Sequence, residues 1–395
     1  MNSFSASREM GEISTKRVLE LCSALGRVNI GLRCVCIPGG GAGHAVAVML
    51  ESVIKSSGHI VGRITSVGDF DSRSFVFIDG ELPSIEEYNS AVAELKSAVK
   101  RNPDAGYTRE ETSFVLGLLL CRMSGCEYVI LEGLSGKDYS LDSVCAPYDL
   151  IVMPTVYGVD AAQERVKVLC DAVRRGTREV VSGNQKSEIY NTISNACAIS
   201  GVRLYIPVKS QFEAGDVTAR KLTFSYSGRG GFLLKSPSYI LRDGAMTVIE
   251  SALALRRGGI KIPWSDISVG LSSASETLCF DILAISPLML VDSASSCDEA
   301  AMLIQTAEDT VGEKALMGVA IVLPEELSYL QKAFADKEIS RVMVSSDSDN
   351  SQYNSIKKLA TEIVKLWRDG TGIVCLGGVN FAIEIKNEIL KLING

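Results

Sequence analysis

Apolar residues along the chain fall into two kinds of segment that alternate with each other. Short, nearly continuous apolar runs, such as Arg33–Ile37, Tyr128–Gly133 and Asp149–Pro154, predict buried strands. Longer segments, such as Ser84–Lys100, place apolar residues every three or four positions and predict amphipathic helices. Because strands and helices alternate, the pattern predicts a doubly wound α/β fold with a mostly parallel sheet and helices on both faces.

Two changes in this pattern suggest how the chain is organised. From Leu222 to Leu241, short apolar runs surround a glycine-rich turn and predict short antiparallel strands that interrupt the parallel pattern. At Leu271–Ser275 the composition becomes rich in serine, and a second alternation of strands and helices begins beyond it. A chain of 395 residues is long enough for two domains. We therefore predict a central domain over residues 1–271 and a smaller α/β domain over residues 272–395.

The first predicted strand runs into a glycine-rich turn that contains Gly39, Gly40, Gly41 and Gly43, and a helix follows. A strand, a glycine loop and a helix present backbone N–H groups and a helix N-terminus to an anion. A phosphate-binding loop also needs a lysine for the outer phosphates and a hydroxyl for Mg²⁺. Alanine and histidine stand at those positions, so the turn predicts an α/β domain more strongly than a working nucleotide site.

Composition argues against several classes of binding partner. A net charge of −7 argues against nucleic acid, which selects for a basic surface. No apolar run reaches the length that spans a membrane, and the polar N-terminus with Glu9 and Glu12 does not resemble a secretory signal. The 11 cysteines are scattered without zinc-ligand spacing and are typical of free thiols. We expect a cytoplasmic protein.

A few single residues are candidates for chemistry. Glu132 and Asp292 each end a predicted strand, where open parallel sheets bind ligands, but a solvated or capping carboxylate fits equally. His44 opens a helix, whose N-terminus disfavours the imidazolium form, so it is either a donor to a ligand oxygen or a polar loop residue.

The order and spacing of these segments resemble folylpolyglutamate synthase and dihydrofolate synthase, of the Mur ligase superfamily, over nearly the whole chain. The family's G-T-N-G-K-G-S-T loop is similar to Pro38–Ala45, and its l-E-v-G-l-G-G strand end to Leu131–Gly136. The family's i-x-x-G-L is similar to Ile267–Leu271, and D-G-A-H-N to Asp292–Ser296. The resemblance implies ATP-dependent amide formation through an acyl phosphate, with Mg²⁺ and basic side chains neutralising the transferred phosphoryl group.

Compared position by position, the resemblance implies that the charged and coordinating groups are largely absent. The loop lysine falls on Ala42, the magnesium-binding hydroxyl on His44 and the D-G-A-H-N histidine on Ser295. The resemblance keeps Glu132 as a metal-ligand position, and Asp292 and Asp160 in the interdomain cleft. Arg63 and Lys137 are cations that could reach the loop. Further catalytic positions of the family fall on Gly68, Val115, Ala161, Thr247, Glu250 and the vicinity of Cys170.

Three hypotheses remain open. The first is a catalytically inactive paralogue, a pseudoenzyme that binds a small molecule or a protein partner. The second is an active but divergent ATP-dependent carboxylate–amine ligase that uses ATP and Mg²⁺ to add glutamate to a folate-like carboxylate. The third is an enzyme with changed chemistry that uses His44 and Glu132. The active-ligase hypothesis requires a cation within reach of the glycine loop, whereas the inactive-paralogue hypothesis does not expect one. A ligand would lie in the cleft between Gly39–His44 and Asp292.

Overall fold

The structure is a computed structural model of the whole chain. It describes residues 12–39, 41–66, 73–135, 140–157, 160–275, 277–294, 296–311, 320–322, 342–344 and 356–394.

The larger part of the described chain is built on a twisted sheet of seven strands. Their order is β3-β2-β4-β1-β5-β6-β7, and every neighbouring pair is parallel except β2 with β3. This arrangement confirms the predicted mostly parallel α/β sheet. The strands are β1 (Arg33–Ile37), β2 (Val61–Thr65), β3 (Val76–Ile78), β4 (Tyr128–Glu132), β5 (Leu150–Met153), β6 (Glu179–Ser182) and β7 (Arg203–Tyr205).

Helices cover both faces of this sheet, as the pattern predicts for a doubly wound fold. One hydrophobic core lies under α1 and α3–α6, and the other under α2, α7 and α8. The helices are α1 (Thr15–Ala24), α2 (Gly41–Ser56), α3 (Ile85–Lys100), α4 (Arg109–Met123), α5 (Asp160–Arg175), α6 (Ser187–Ile199), α7 (Tyr239–Arg257) and α8 (Trp264–Ser273).

Several boundaries differ from the sequence pattern for physical reasons. Helix α2 begins inside the glycine-rich turn, so that turn is shorter than its composition suggests. Helix α7 begins at Tyr239, inside the segment predicted as antiparallel, because the Ser238 side chain accepts a hydrogen bond from Leu241 N and caps the helix. Helix α8 lies at the predicted domain boundary, in a stretch for which the sequence pattern predicted no helix. The antiparallel sheet begins before Leu222, with β8 (Phe212–Thr218), β9 (Lys221–Tyr226) and β10 (Arg229–Leu234).

The C-terminal part of the chain is a smaller α/β unit. Strand β12 pairs in parallel with β15 and antiparallel with β11, a strand that the sequence pattern did not predict. The sequence pattern also predicts a helix over 325–334 and a polar loop over 345–351, but both lie outside the described residues. The boundary at 271/272 stays a prediction. The elements are β11 (Asp281–Ile285), β12 (Leu288–Asp292), α9 (Cys297–Val311), β13 (Ala320–Val322), β14 (Val342–Val344), α10 (Ile356–Arg368), β15 (Ile373–Leu376) and α11 (Val379–Asn394).

None of the helices in the described ranges is long and apolar enough to cross a membrane.

Close packing of α8 against α2 gives a first prediction. A Cβ added at Gly270 would lie 2.7 Å from both N and Cγ2 of Val53. We expect Gly270→Ala to lower the free energy of unfolding by about 1–3 kcal/mol, because the two helices must move apart. Urea unfolding measures this loss. Gly230→Ala is the control, because its Cβ would meet only Ser225 Cβ at 4.0 Å. Equal stability of Gly270→Ala and wild type would contradict the packing.

Candidate functional site

The glycine-rich turn lies against the end of β4. Ile37 is in register with Glu132, and Gly133 N donates a hydrogen bond to Ile37 O at 3.0 Å. A Cβ at Gly39 would lie 2.8 Å from Gly133 Cα, and a Cβ at Gly43 would lie 2.8 Å from Pro38 O. These two glycines are therefore required by backbone packing alone. Their presence does not by itself indicate a bound phosphate.

The first turn of α2 directs His44 onto Glu132. His44 Nδ1 lies 2.9 Å from Glu132 Oε1, and both side chains are buried. Because an ionised carboxylate only accepts hydrogen bonds, Nδ1 is the protonated nitrogen and donates the hydrogen bond to Glu132. The sequence left open whether His44 donates to a ligand oxygen or is a polar loop residue. In the structure its Nδ1 donates to the protein's own carboxylate.

Arg63, on β2, supplies the other side of this site. Its Nη1 donates to Glu132 Oε2 at 3.1 Å, and its Nε donates to Glu51 Oε2 at 2.7 Å. The guanidinium lies over the Phe77 ring at 4.3 Å from the ring centre. Glu51 completes the arrangement by accepting a hydrogen bond from Gly80 N at 2.9 Å. We call His44, Glu132, Arg63 and Glu51 the buried ion cluster.

Charge balance explains why these groups tolerate burial. Burial opposes ionisation of Glu132, but the neighbouring His44 and Arg63 outweigh it and lower the pKa of this carboxyl from 4.5 to about 2. Burial likewise opposes the charge on Arg63, yet Glu51 and Glu132 raise its pKa. One guanidinium and two carboxylates sum to −1 with a neutral imidazole and to 0 with an imidazolium. The cluster has no surplus positive charge in either case.

These residues do not fit the Mg²⁺ that the family resemblance implies. Both oxygens of Glu132 already accept hydrogen bonds from cationic or polar N–H groups. An imidazole stands where the family's metal-binding hydroxyl is expected. Within the described residues, no group of three or more His, Cys, Asp or Glu side chains is arranged to hold a metal ion.

Asp292, Asp160, Gly40 and Lys137 remain of the predicted site residues. Asp292 ends β12 and is buried, and its Oδ2 accepts a hydrogen bond from Phe280 N at 2.7 Å. Burial, reinforced by the charge of Glu299, raises the pKa of Asp292 well above its usual value. Asp160 begins α5. Gly40 and Lys137 lie outside the described residues.

Sequence reasoning named Arg63 only as a cation that could reach the loop, and it missed Glu51. Both have a signal that could have found them. Arg63 interrupts an apolar strand that is buried along its whole length. Glu51 stands on the apolar side of α2, next to Leu50 and close to Val53. A charged residue at a core position needs a charged partner, so two such residues of opposite sign predict a pair.

A cavity of about 550 Å³ adjoins the cluster. It runs along α2 towards its C-terminus and is closed on the opposite side by α11. His44 lines this cavity, whereas Asp292 does not. This cavity therefore lies along α2, and the predicted ligand cleft between Gly39–His44 and Asp292 stays a prediction.

These features describe a Mur-ligase-like α/β fold, in which the first βα turn is glycine-rich and a smaller α/β unit follows the central sheet. Solved folylpolyglutamate synthases share this fold. The apo enzyme from Lactobacillus casei superposes with a TM-score of 0.78 at 17% identity, covering 98% of this chain and 97% of that one. A folylpolyglutamate synthase complex with AMPPCP and folate gives a TM-score of 0.81 at 16% identity, covering 97% and 96%.

The Mycobacterium tuberculosis enzyme, complexed with ADP and AMPPCP, gives a TM-score of 0.79 at 15% identity and covers 95% of both chains. No protein-family model matches the sequence, and no curated protein sequence matches it. At these identities the structural likeness establishes the folylpolyglutamate synthase fold for nearly the whole chain.

Removing the cation from the cluster gives a second prediction. Arg63→Met leaves Glu51 and Glu132 buried without their shared partner, and we expect it to lower the free energy of unfolding by about 3–5 kcal/mol. Urea unfolding at neutral pH measures the loss. The exposed Arg220, replaced by methionine, is the matched control and should change stability by less than about 0.5 kcal/mol. A loss no larger than the control's would show that the cluster is not stabilised by this charge.

The depressed pKa of Glu132 gives a third prediction, about pH. Its folded-state pKa of about 2 lies below the ordinary 4.5, so its contribution is complete above pH 5 and falls as the pH drops towards 2. The difference in unfolding free energy between wild type and Glu132→Gln should therefore shrink by up to about 3 kcal/mol over that range. Urea unfolding at several pH values measures it. A difference that does not change with pH would contradict the ion pair.

Proposed function

We propose that this chain is a divergent relative of the folylpolyglutamate synthases that has lost ATP-dependent ligation and acts by binding a ligand or a partner. The shared fold over nearly the full length supports the relationship. The main support for a loss of catalysis is that both carboxylate oxygens of Glu132 accept hydrogen bonds, one from His44 and one from Arg63. The charge of this carboxylate is compensated by protein side chains, so it does not need a metal ion for burial.

Electrostatics gives the physical reason. A transferring phosphoryl group needs preorganised positive charge, from a metal ion, lysine or arginine. Arg63 is a cation beside the glycine-rich turn, but its charge is shared between two buried carboxylates. If Arg63 bound a phosphate instead, the negative charges of Glu51 and Glu132 would be left uncompensated in the core. Removing one partner of a buried pair costs about 3–5 kcal/mol, which nucleotide binding would have to overcome.

Retention of the glycines agrees with this proposal. Gly39 and Gly43 are needed for the turn to pack against Gly133 and Pro38, whether or not a phosphate binds. Selection for folding alone would therefore keep them while the lysine and the hydroxyl are lost. All 11 cysteines are free thiols in the structure, which supports the expected cytoplasmic location.

The second candidate is an active divergent ligase that uses ATP and Mg²⁺. Two observations favour it: folylpolyglutamate synthases of the same fold are known with AMPPCP or ADP, and Arg63 lies one carboxylate away from His44. For this candidate to hold, nucleotide binding must free Arg63 from Glu51 or Glu132. The two candidates therefore differ in whether MgATP binds and whether the cluster rearranges when it does.

Calorimetric titration with MgATP tests the choice and is the fourth prediction. We expect no binding heat up to roughly millimolar nucleotide, which corresponds to a binding free energy weaker than about −4 kcal/mol. The Lactobacillus casei folylpolyglutamate synthase, titrated in the same buffer, is the positive control. Micromolar binding that Gly41→Asp weakens would overturn the proposal, because it would show a nucleotide held by the loop. ATP hydrolysis by the wild type would overturn it as well.

A further inference from the structure

Helix α9 has two faces, and they contact different parts of the fold. One face packs with β12 and β15 in a hydrophobic core of the C-terminal unit, through Ala300, Leu303, Ile304 and Ala307. The other face carries Met302, Thr306 and Asp309, which lie on one side of the helix because they are spaced by four and three residues. This second face contacts the central domain, as the following contacts show.

Tyr239, the first residue of α7, makes two hydrogen bonds to this face of α9. Its backbone N donates to Thr306 Oγ1 at 3.3 Å, and its hydroxyl donates to Asp309 Oδ2. Thr306 is buried, and Met302 packs against the hydrophobic core under α2, α7 and α8. These four residues form a contact between the central domain and the C-terminal unit that we call the α7–α9 contact.

The connector between the two parts, residues 274–280, is anchored in both of them. Its last four residues are buried. Leu278 and Phe280 pack in the cores of the C-terminal unit, whereas Cys279 between them packs in the core under α2, α7 and α8. Ser236 Oγ, from the central domain, donates a hydrogen bond to Cys279 O at 3.3 Å. Flexible linkers between domains are exposed and make few contacts, so this connector is not of that kind.

The backbone of the connector has a conformation that needs fixed surroundings. Leu278 has a φ of +54° and Phe280 a φ of +58°, in the left-handed region that bulky side chains rarely adopt. Such a conformation persists where the surrounding contacts determine it. Ser293 N donates to Leu278 O, and Phe280 N donates to Asp292 Oδ2, both at 2.7 Å. The connector is therefore held by hydrogen bonds to the C-terminal unit as well as by burial.

We propose that the α7–α9 contact and the buried connector together lock the C-terminal unit onto the central domain, so that the two move as one rigid body. Ala274 and Leu278 of the connector also line the cavity along α2, so the lock keeps that part of the cavity wall in place. Because the two parts of the lock act together, loss of the α7–α9 contact should loosen the connector as well. The lock does not depend on whether the chain binds MgATP.

Hydrogen–deuterium exchange tests the lock, read by mass spectrometry with electron-transfer fragmentation. The amides of Phe280 and Ser293 report on the connector, because both are hydrogen-bonded when it is in place. The double variant Tyr239→Phe/Thr306→Val removes the hydroxyl donor and the hydroxyl acceptor of the α7–α9 contact. We expect both amides to exchange slowly in the wild type and about tenfold or more faster in this variant, as loss of two hydrogen bonds predicts.

The matched control is Tyr190→Phe/Thr192→Val, on the exposed side of α6. Thr192 Oγ1 donates to Glu188 O within its helix, just as Thr306 Oγ1 donates to Met302 O, so both double variants lose the same kind of intrahelical bond. Exchange of the connector amides should be unchanged in the control. Unchanged exchange in the α7–α9 variant, or an equal acceleration in the control, would overturn the proposal. So would connector amides that exchange in the wild type as fast as exposed ones.

Scanning calorimetry of the wild type gives a second test that needs no variant. Two units that are locked together should unfold in a single cooperative transition, with equal calorimetric and van't Hoff enthalpies. Two separate transitions, or a calorimetric enthalpy well above the van't Hoff value, would show that the units unfold independently and would overturn the lock.

Discussion

A buried carboxylate at the end of β4 is the constraint on which the site depends. Glu132 is fully enclosed, and an isolated charge in that position would cost several kcal/mol of folding free energy. His44 from α2 and Arg63 from β2 supply the compensation, and Arg63 then requires Glu51. Compensation of the charge of Glu132 therefore constrains the relative positions of β4, α2, β2 and the turn after β3.

The buried negative charge of Glu132 can be compensated by a metal ion or by side chains. Which of the two compensates it determines the chemistry that is possible at the site. A metal leaves coordination positions open to a phosphate, whereas a guanidinium and an imidazole that bind the carboxylate offer no such position. The glycine-rich turn has the geometry that its packing needs. In this chain side-chain donors compensate the buried carboxylate of Glu132.

The sequence predicted the parallel strands well because strands buried on both faces must be apolar along their length. It located Glu132 because that residue ends such a strand, and it drew attention to His44 because of its place after the glycines. It did not predict that the two would pair, since 88 residues separate them. Strand β8 and helix α8 were missed because tertiary pairing, through β9 and through Gly270 against α2, defines them more than local pattern does.

The shared use of Arg63 also has an evolutionary consequence. Replacing either donor to Glu132 alone leaves part of a buried charge uncompensated, so positions 44 and 63 are constrained together. Residues 44, 63 and 132 should therefore change together, or not at all, among proteins that share this cluster.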